Sequence, residues 1–188
     1  MKIKAIYQSL LLGLCVSTAS YAAPDAVAGK QQAGMCFNCH GAEGQSRSEF
    51  IPSLAAQKPA YIVNQLRAFR AGSRKNGMMQ NIASNLSNTE MNNIAAYFSS
   101  LPLKAAGGDK LQLTAGEKKV SNCRSCHGQD LQGAGLTPRL AGQHPAYLMN
   151  QLKAFKEGDR KNGMMRGVAM NLSDKDLYVI TQYLGQLK

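Results

Sequence analysis

The chain has no tryptophan, and aromatic residues make up only 6% of its 188 positions. So lean a supply of large side chains limits the core it can build unaided, and a cofactor or crosslink is expected to complete it. Acidic residues are also scarce: 11 Asp and Glu stand against 22 Lys and Arg, a formal charge of +11. That excess favours acidic partners or an anionic surface, including peripheral association with a membrane. A bilayer-spanning run is missing at the N-terminus, where the apolar stretch 5–16, AIYQSLLLGLCV, is too short to cross comfortably. Lys2 and Lys4 precede it and small residues from Ser17 to Ala22 follow it, with Ser20 and Ala22 at the positions a signal peptidase reads. Residues 1–22 are therefore read as a cleaved signal peptide and the mature chain as periplasmic. Leu14 stands where a lipid-attachment cysteine needs a small neighbour, so Cys15 is discarded with the leader. Cleavage removes two lysines and leaves a charge of +9. Export also argues against nucleic acid as the partner of the basic surface.

No strand pattern of useful length is present, and no third copy of any segment that would make a solenoid. Two copies are present. Residues 52–101 align without a gap with 138–187, and roughly half of the aligned positions are identical. Upstream, GMCFNCHG at 34–41 matches SNCRSCHG at 121–128. The chain reads as two sister domains, 24–101 and 112–188, joined by a linker at 102–111 whose Pro-Leu-Lys-Ala-Ala-Gly-Gly start has loop composition. Both halves follow helical periodicity. Ser87 to Glu90 is a capping box before Met91, Ile94, Ala95, Phe98 and Leu101, and Ser173 to Asp176 opens the sister helix. Thr114 to Glu117 reads as a further capping box. Pro59 and Pro145 begin helices that carry Tyr61, Gln65, Leu66 and Phe69, or Tyr147, Gln151, Leu152 and Phe155, and Gly72 and Gly158 close them.

Four mature cysteines occur as Cys36-Phe37-Asn38-Cys39-His40 and Cys123-Arg124-Ser125-Cys126-His127. Cys-x-x-Cys-His is the attachment signature of c-type haem. Thiols at i and i+3 share a helical face and can form thioethers with two vinyl groups, and the histidine at i+4 lies on that face to meet the iron. A single zinc site built from both cysteine pairs would ignore the complete domain around each. A redox dithiol would call for a βαβ setting that is absent. Plain disulfides would leave His40 and His127 unexplained.

A haem iron with one histidine has a sixth position. His144 is matched by Lys58, so it cannot be a ligand common to both halves, and it reads as a surface residue at a helix start. Met35, Met91, Met149 and Met170 are matched by Asn122, Leu177, Val63 and Ser84. Only Met78 with Met164, and Met79 with Met165, recur. They end the repeated hexapeptide RKNGMM at 74–79 and 160–165, where a preceding glycine suggests a backbone bent toward a cofactor, outside the helices. The repeated cations Arg67, Arg70, Arg74 and Lys75, and Lys153, Lys156, Arg160 and Lys161, read mostly as solvated helix faces. A few of them would steer a partner or pair with haem propionates.

Cys-x-x-Cys-His-Gly, Pro-x-Leu-Ala-x-Gln, a Tyr-x-x-x-Gln-Leu helix, and Met then Leu-Ser before a last helix, all twice over, resemble the cytochrome c4 family. The resemblance spans the mature chain. It implies an all-α protein of two tandem class I cytochrome c domains, each wrapped around one covalent haem c, with the haems facing each other. It implies Cys36, Cys39, Cys123 and Cys126 as attachment points and His40, Met79, His127 and Met165 as axial ligands, because the family's methionine stands seven residues before the Leu-Ser leucine. Met78 and Met164 are the adjacent alternatives. It further implies that the Pro52 and Pro138 carbonyls accept hydrogen bonds from His40 and His127. The expected function is a respiratory electron carrier, not an enzyme, running from a cytochrome bc complex to a terminal oxidase. The alternative is the electron-accepting subunit of a dehydrogenase such as a flavocytochrome. A haem peroxidase is a third class, disfavoured because both methionines are retained.

Overall fold

The computed structural model describes residues 23–188, so the expected signal peptide at 1–22 lies outside the described residues. Each half builds five helices in the same order. The first half has α1 (Ala26–Gln32), α2 (Phe37–His40), α3 (Pro59–Arg70), α4 (Gly77–Ser84) and α5 (Asn88–Ser100). The second has α6 (Leu113–Lys119), α7 (Ser121–His127), α8 (Pro145–Glu157), α9 (Gly163–Met170) and α10 (Asp174–Gln186). The only β pairing among the described residues is an isolated bridge between Ala134 and Thr137.

The helix starts follow from their residues. Pro59 and Pro145 occupy the first turns of α3 and α8, where a missing N–H costs nothing. Ser87 with Glu90, and Ser173 with Asp176, form complete capping boxes at α5 and α10. The expected box at Thr114 does not form. Helix α6 already begins at Leu113, and Asp109 instead accepts from Leu111 N–H to start the preceding 3-10 turn, Lys110–Gln112. Helix α1, which the periodicity did not flag, is capped by Asp25 through Val27 and Ala28 N–H.

Two separate cores result. In the first half, Ile62, Leu66 and Phe69 of α3 pack with Met91, Ile94 and Phe98 of α5. In the second, Leu148 of α8 packs with Ile180, Tyr183 and Leu184 of α10, together with Val120 and Leu131. Helix α1 crosses α5 where Gly29 leaves no side chain, because an added Cβ would collide with the Asn93 carbonyl. Gly116 does the same for α6 against Tyr183 of α10. The linker does not hang free. Ala106 N–H donates to Gly142 O at 3.2 Å, Gly107 N–H donates to Gly185 O at 2.9 Å, and Leu103 packs on the second core.

The domains join through a pseudo-symmetric interface. The Gln57 side chain accepts from Arg139 N–H at 2.8 Å and donates to Arg139 O at 3.1 Å. Its sister Gln143 accepts from Ser53 N–H at 2.9 Å and donates to Ser53 O at 2.9 Å. A second pair of contacts lies on α3 and α8. Arg74 donates to Gln65 at 2.9 Å, and across the boundary to Tyr147 at 3.0 Å and Gln151 at 2.9 Å. Arg160 donates to Gln151 at 2.6 Å, and across the boundary to Tyr61 at 2.8 Å and Gln65 at 2.9 Å.

This corrects the reading of the repeated cations as mostly solvated faces. Arg74 and Arg160 are half-buried and hold the interface, each also lying 4.6 Å over the ring of Phe69 or Phe155. Arg70 donates to Leu86 O and Asn88, and Lys156 to Leu172 O, so these two brace the loops before the last helices. Arg67, Lys75, Lys153 and Lys161 are exposed. His144 is likewise not a free surface residue: it is half-buried, with Nε2 3.0 Å from Ser46 O of the other domain.

Candidate haem sites

Cys36 closes the 3-10 turn Gly34–Cys36 and Cys39 lies in α2, while Cys123 and Cys126 both lie in α7. None of the four is paired in a disulfide. Burial pushes the Cys36 thiol up to about 11 and raises that of Cys123. A neutral thioether suits such a setting, whereas a zinc thiolate would bury charge there. Among the described residues no three His, Cys, Asp or Glu side chains stand close enough to hold a metal ion.

The histidines are prepared in the same way in both halves. His40 and His127 are 8% and 6% exposed. Nδ1 of His40 lies 2.8 Å from Pro52 O, and Nδ1 of His127 lies 2.8 Å from Pro138 O. A carbonyl only accepts, so Nδ1 carries the proton and donates. Nε2 makes no hydrogen bond among the described residues and keeps its lone pair for a metal. Burial lowers both histidine pKa values, against the opposing effect of the proline bonds, and favours the neutral imidazole that iron needs. The glycine after each motif, Gly41 at φ 78° and Gly128 at φ 83°, turns the chain out of the helix.

The repeated methionines lie within helices α4 and α9, not in a glycine-bent loop outside them. Asn76 caps α4 by accepting from Met79 N–H at 3.0 Å, and Asn162 caps α9 by accepting from Met165 N–H at 3.0 Å. Gly77 and Gly163 have no positive φ, and a Cβ would meet nothing within 4 Å at either. The cap, not glycine freedom, fixes the start of the helix. Within each pair the two side chains part. Met78 and Met164 are 65% and 71% exposed, whereas Met79 packs against the first core and Met165 is half-buried.

Paired Cys-x-x-Cys-His helices, buried imidazoles tied to a proline carbonyl and an all-helical frame define tandem c-type cytochrome domains. The sequence model of the family "Cytochrome c" matches twice, at residues 26–102 and 113–188. Cytochrome c4 of Pseudomonas aeruginosa is 35% identical over 94% of this chain and 95% of its own length. The thiosulfate dehydrogenase electron acceptor of Thiomonas intermedia is 35% identical over 87% of this chain and 84% of its own. The crystal structure of reduced cytochrome c4 from Pseudomonas stutzeri superposes with a TM-score of 0.84 at 36% identity, covering 88% of this chain and all of that one. The chain belongs to the cytochrome c4 family of dihaem electron carriers. It binds two covalent haem c groups, one per domain, and the Cys36/Cys39 and Cys123/Cys126 pairs fit their attachment.

The interface residues were missed as a functional set. Gln57 and Gln143, Tyr61 and Tyr147, Gln65 and Gln151, and Arg74 and Arg160 are identical between the halves. A polar residue kept in both copies beside an apolar helix face was the available signal.

Proposed function

We propose that this protein is an exported respiratory shuttle whose two haems are each ligated by histidine and methionine, His40 with Met79 and His127 with Met165. Cys36, Cys39, Cys123 and Cys126 form the thioethers. The folding units are 24–101 and 112–188, joined at 102–111, and a leader at 1–22 directs the chain to the periplasm. The observation that carries the ligand set is the matched pair of histidines with Nδ1 committed to a proline carbonyl and Nε2 left free. Met79 packs on the first core and Met165 is half-buried, while Met78 and Met164 are exposed, which supports the second of each methionine pair.

Haem c supplies a one-electron Fe(III)/Fe(II) couple, and a thioether ligand raises its potential above that of a site with two nitrogen ligands. The protein's part is to hold the ligands still. The Pro52 and Pro138 carbonyls fix each imidazole's tautomer and orientation. Asn76 and Asn162 fix the turns that carry the methionines. The Gln57 and Gln143 contacts bind the two proline loops to each other, so the two sites keep a set separation for electron exchange.

The donor is a quinol-oxidising cytochrome bc complex and the acceptor a terminal oxidase, met through acidic docking surfaces that suit the mature charge of +9. A second reading, acceptance of electrons from a dehydrogenase, is favoured by the relatives named as thiosulfate dehydrogenase electron acceptors. Redox titration of the purified holoprotein tests the carrier function: two electrons are taken up per chain, and uptake of only one contradicts it. Stopped-flow reduction by each donor separates the readings. Fast reduction by the bc complex supports the first, and fast reduction by the dehydrogenase alone supports the second.

A further inference from the structure

The two proline loops, PSLAAQ at 52–57 and PRLAGQ at 138–143, differ in charge at the residue after the proline, which is Ser53 in the first half and Arg139 in the second. Arg139 is 1% exposed. Its guanidinium crosses the domain boundary. It donates to Ala141 O in its own loop, and to Ala55 O at 2.9 Å and Ser53 O at 3.4 Å in the other domain. Every acceptor is a neutral carbonyl, and Nε finds no partner among the described residues. The salt bridges among those residues, Lys119 with Asp176 and Arg124 with Glu117, do not involve it.

No carboxylate side chain among the described residues pairs with it, and carbonyl hydrogen bonds satisfy its donors without cancelling its charge. Burial brings its pKa down to about 10, which leaves it a cation at neutral pH. Ser53 O, one of its acceptors, belongs to the residue after Pro52, and Arg139 itself follows Pro138. The charge therefore bridges the two proline loops whose Pro52 and Pro138 carbonyls hold His40 and His127.

We propose that Arg139 sets the reduction potential of both haems, as one fixed cation at the domain boundary that stabilises the reduced state of each. Reduction transfers one electron from a redox partner to ferric iron and lowers that site's net charge by one, which a nearby positive charge favours. Because the guanidinium touches both proline loops, neutralising it moves both potentials, whereas replacing an axial ligand moves one. The inference rests on the assignment of His40 and His127 as ligands.

The test is a spectroelectrochemical titration of dihaem wild type, R139Q, R139M and R139K at fixed pH and ionic strength. R139Q and R139M should each lower the reduction equilibrium constant of both haems about tenfold, or about 59 mV for a one-electron couple. That is the size of effect one charge exerts at roughly 12 Å through a protein interior of effective dielectric about 20. R139K, which keeps the charge, should stay within about twofold of wild type. Neutral variants that leave both potentials within about twofold, or that shift only one haem, overturn the proposal. The sulfur-to-iron charge-transfer band is followed in every sample. Its loss in a variant marks a ligation change, not a charge effect, and its absence from wild type defeats the His/Met assignment, not this one. Should R139Q fail to load two haems, R139M answers the same question, since an apolar residue of similar length is often tolerated in place of a buried ion.

Discussion

Arg74 and Arg160 share their acceptors: both donate to Gln65 Oε1 and both donate to Gln151 Oε1. Two like charges are thus held together across the domain boundary by two glutamine oxygens and two tyrosine hydroxyls. Either arginine alone can keep both glutamines occupied, but loss of both empties them.

The effects of R74A and R160A on domain docking should therefore be non-additive, with a coupling of about 1 kcal/mol in a double-mutant cycle. The readout is hydrogen exchange at the Ser53 and Arg139 amides, which donate to Gln143 and Gln57 across the same boundary. Each single variant should retain most of their protection and the double variant should lose it. Additive effects would show that the shared acceptors contribute nothing.

M79A and M165A should each lower the potential of one haem and open its iron to exogenous ligands, with loss of that haem's sulfur-to-iron band. M78A and M164A remove side chains that are 65% and 71% exposed and should leave both potentials close to wild type. The opposite pattern would move the ligands one residue toward the N-terminus.

Backbone conformation sets a third expectation. Ala56 has φ 56° and its sister Gly142 has φ 67°. A56G should stabilise the first domain by about 0.5 kcal/mol, the left-handed strain relieved less the extra freedom of the unfolded chain. G142A should cost about 2 kcal/mol or more, because strain adds to a clash with Leu103 Cδ1 and Leu187 O. Urea unfolding followed by the haem absorption of each domain gives both values.

Acid should weaken the last helix of each domain. Hydrogen bonds from Lys119 and from Ser173 hold the Asp176 carboxyl well below the usual range, and the Ser87 N–H lowers that of Glu90. A carboxylate depressed in the folded state contributes stability that is fully present above its unfolded value, about 3.9 for Asp. That contribution fades as pH falls below this value toward the folded one. The thermal midpoint should drop in that window. D176N should start lower at neutral pH and show a shallower drop, and an unchanged acid slope would remove Asp176 from the account.

The repeat and its two Cys-x-x-Cys-His motifs were legible because covalent chemistry demands residue types at fixed spacing. The capping boxes at Ser87 and Ser173 were legible for a similar reason, since the cap is local. Helix α1 was not. Seven residues that include Gly29 carry little periodic signal, and that glycine serves the close crossing with α5. Asn76 and Asn162 do not read as caps from sequence, because the adjacent Gly77 and Gly163 give the same segment loop composition. Arg74, Arg160 and Arg139 were beyond local reading, since their partners across the domain boundary lie 73 to 99 residues away, or up to 86 for Arg139, and only the docked domains bring them together.

Carbon monoxide added to the fully reduced wild-type holoprotein tests the central claim most directly. Two haems each closed by histidine and methionine predict no binding at either iron and an unchanged ferrous spectrum. Rapid binding at either haem would show an open or labile sixth position and contradict the account of a pure electron carrier.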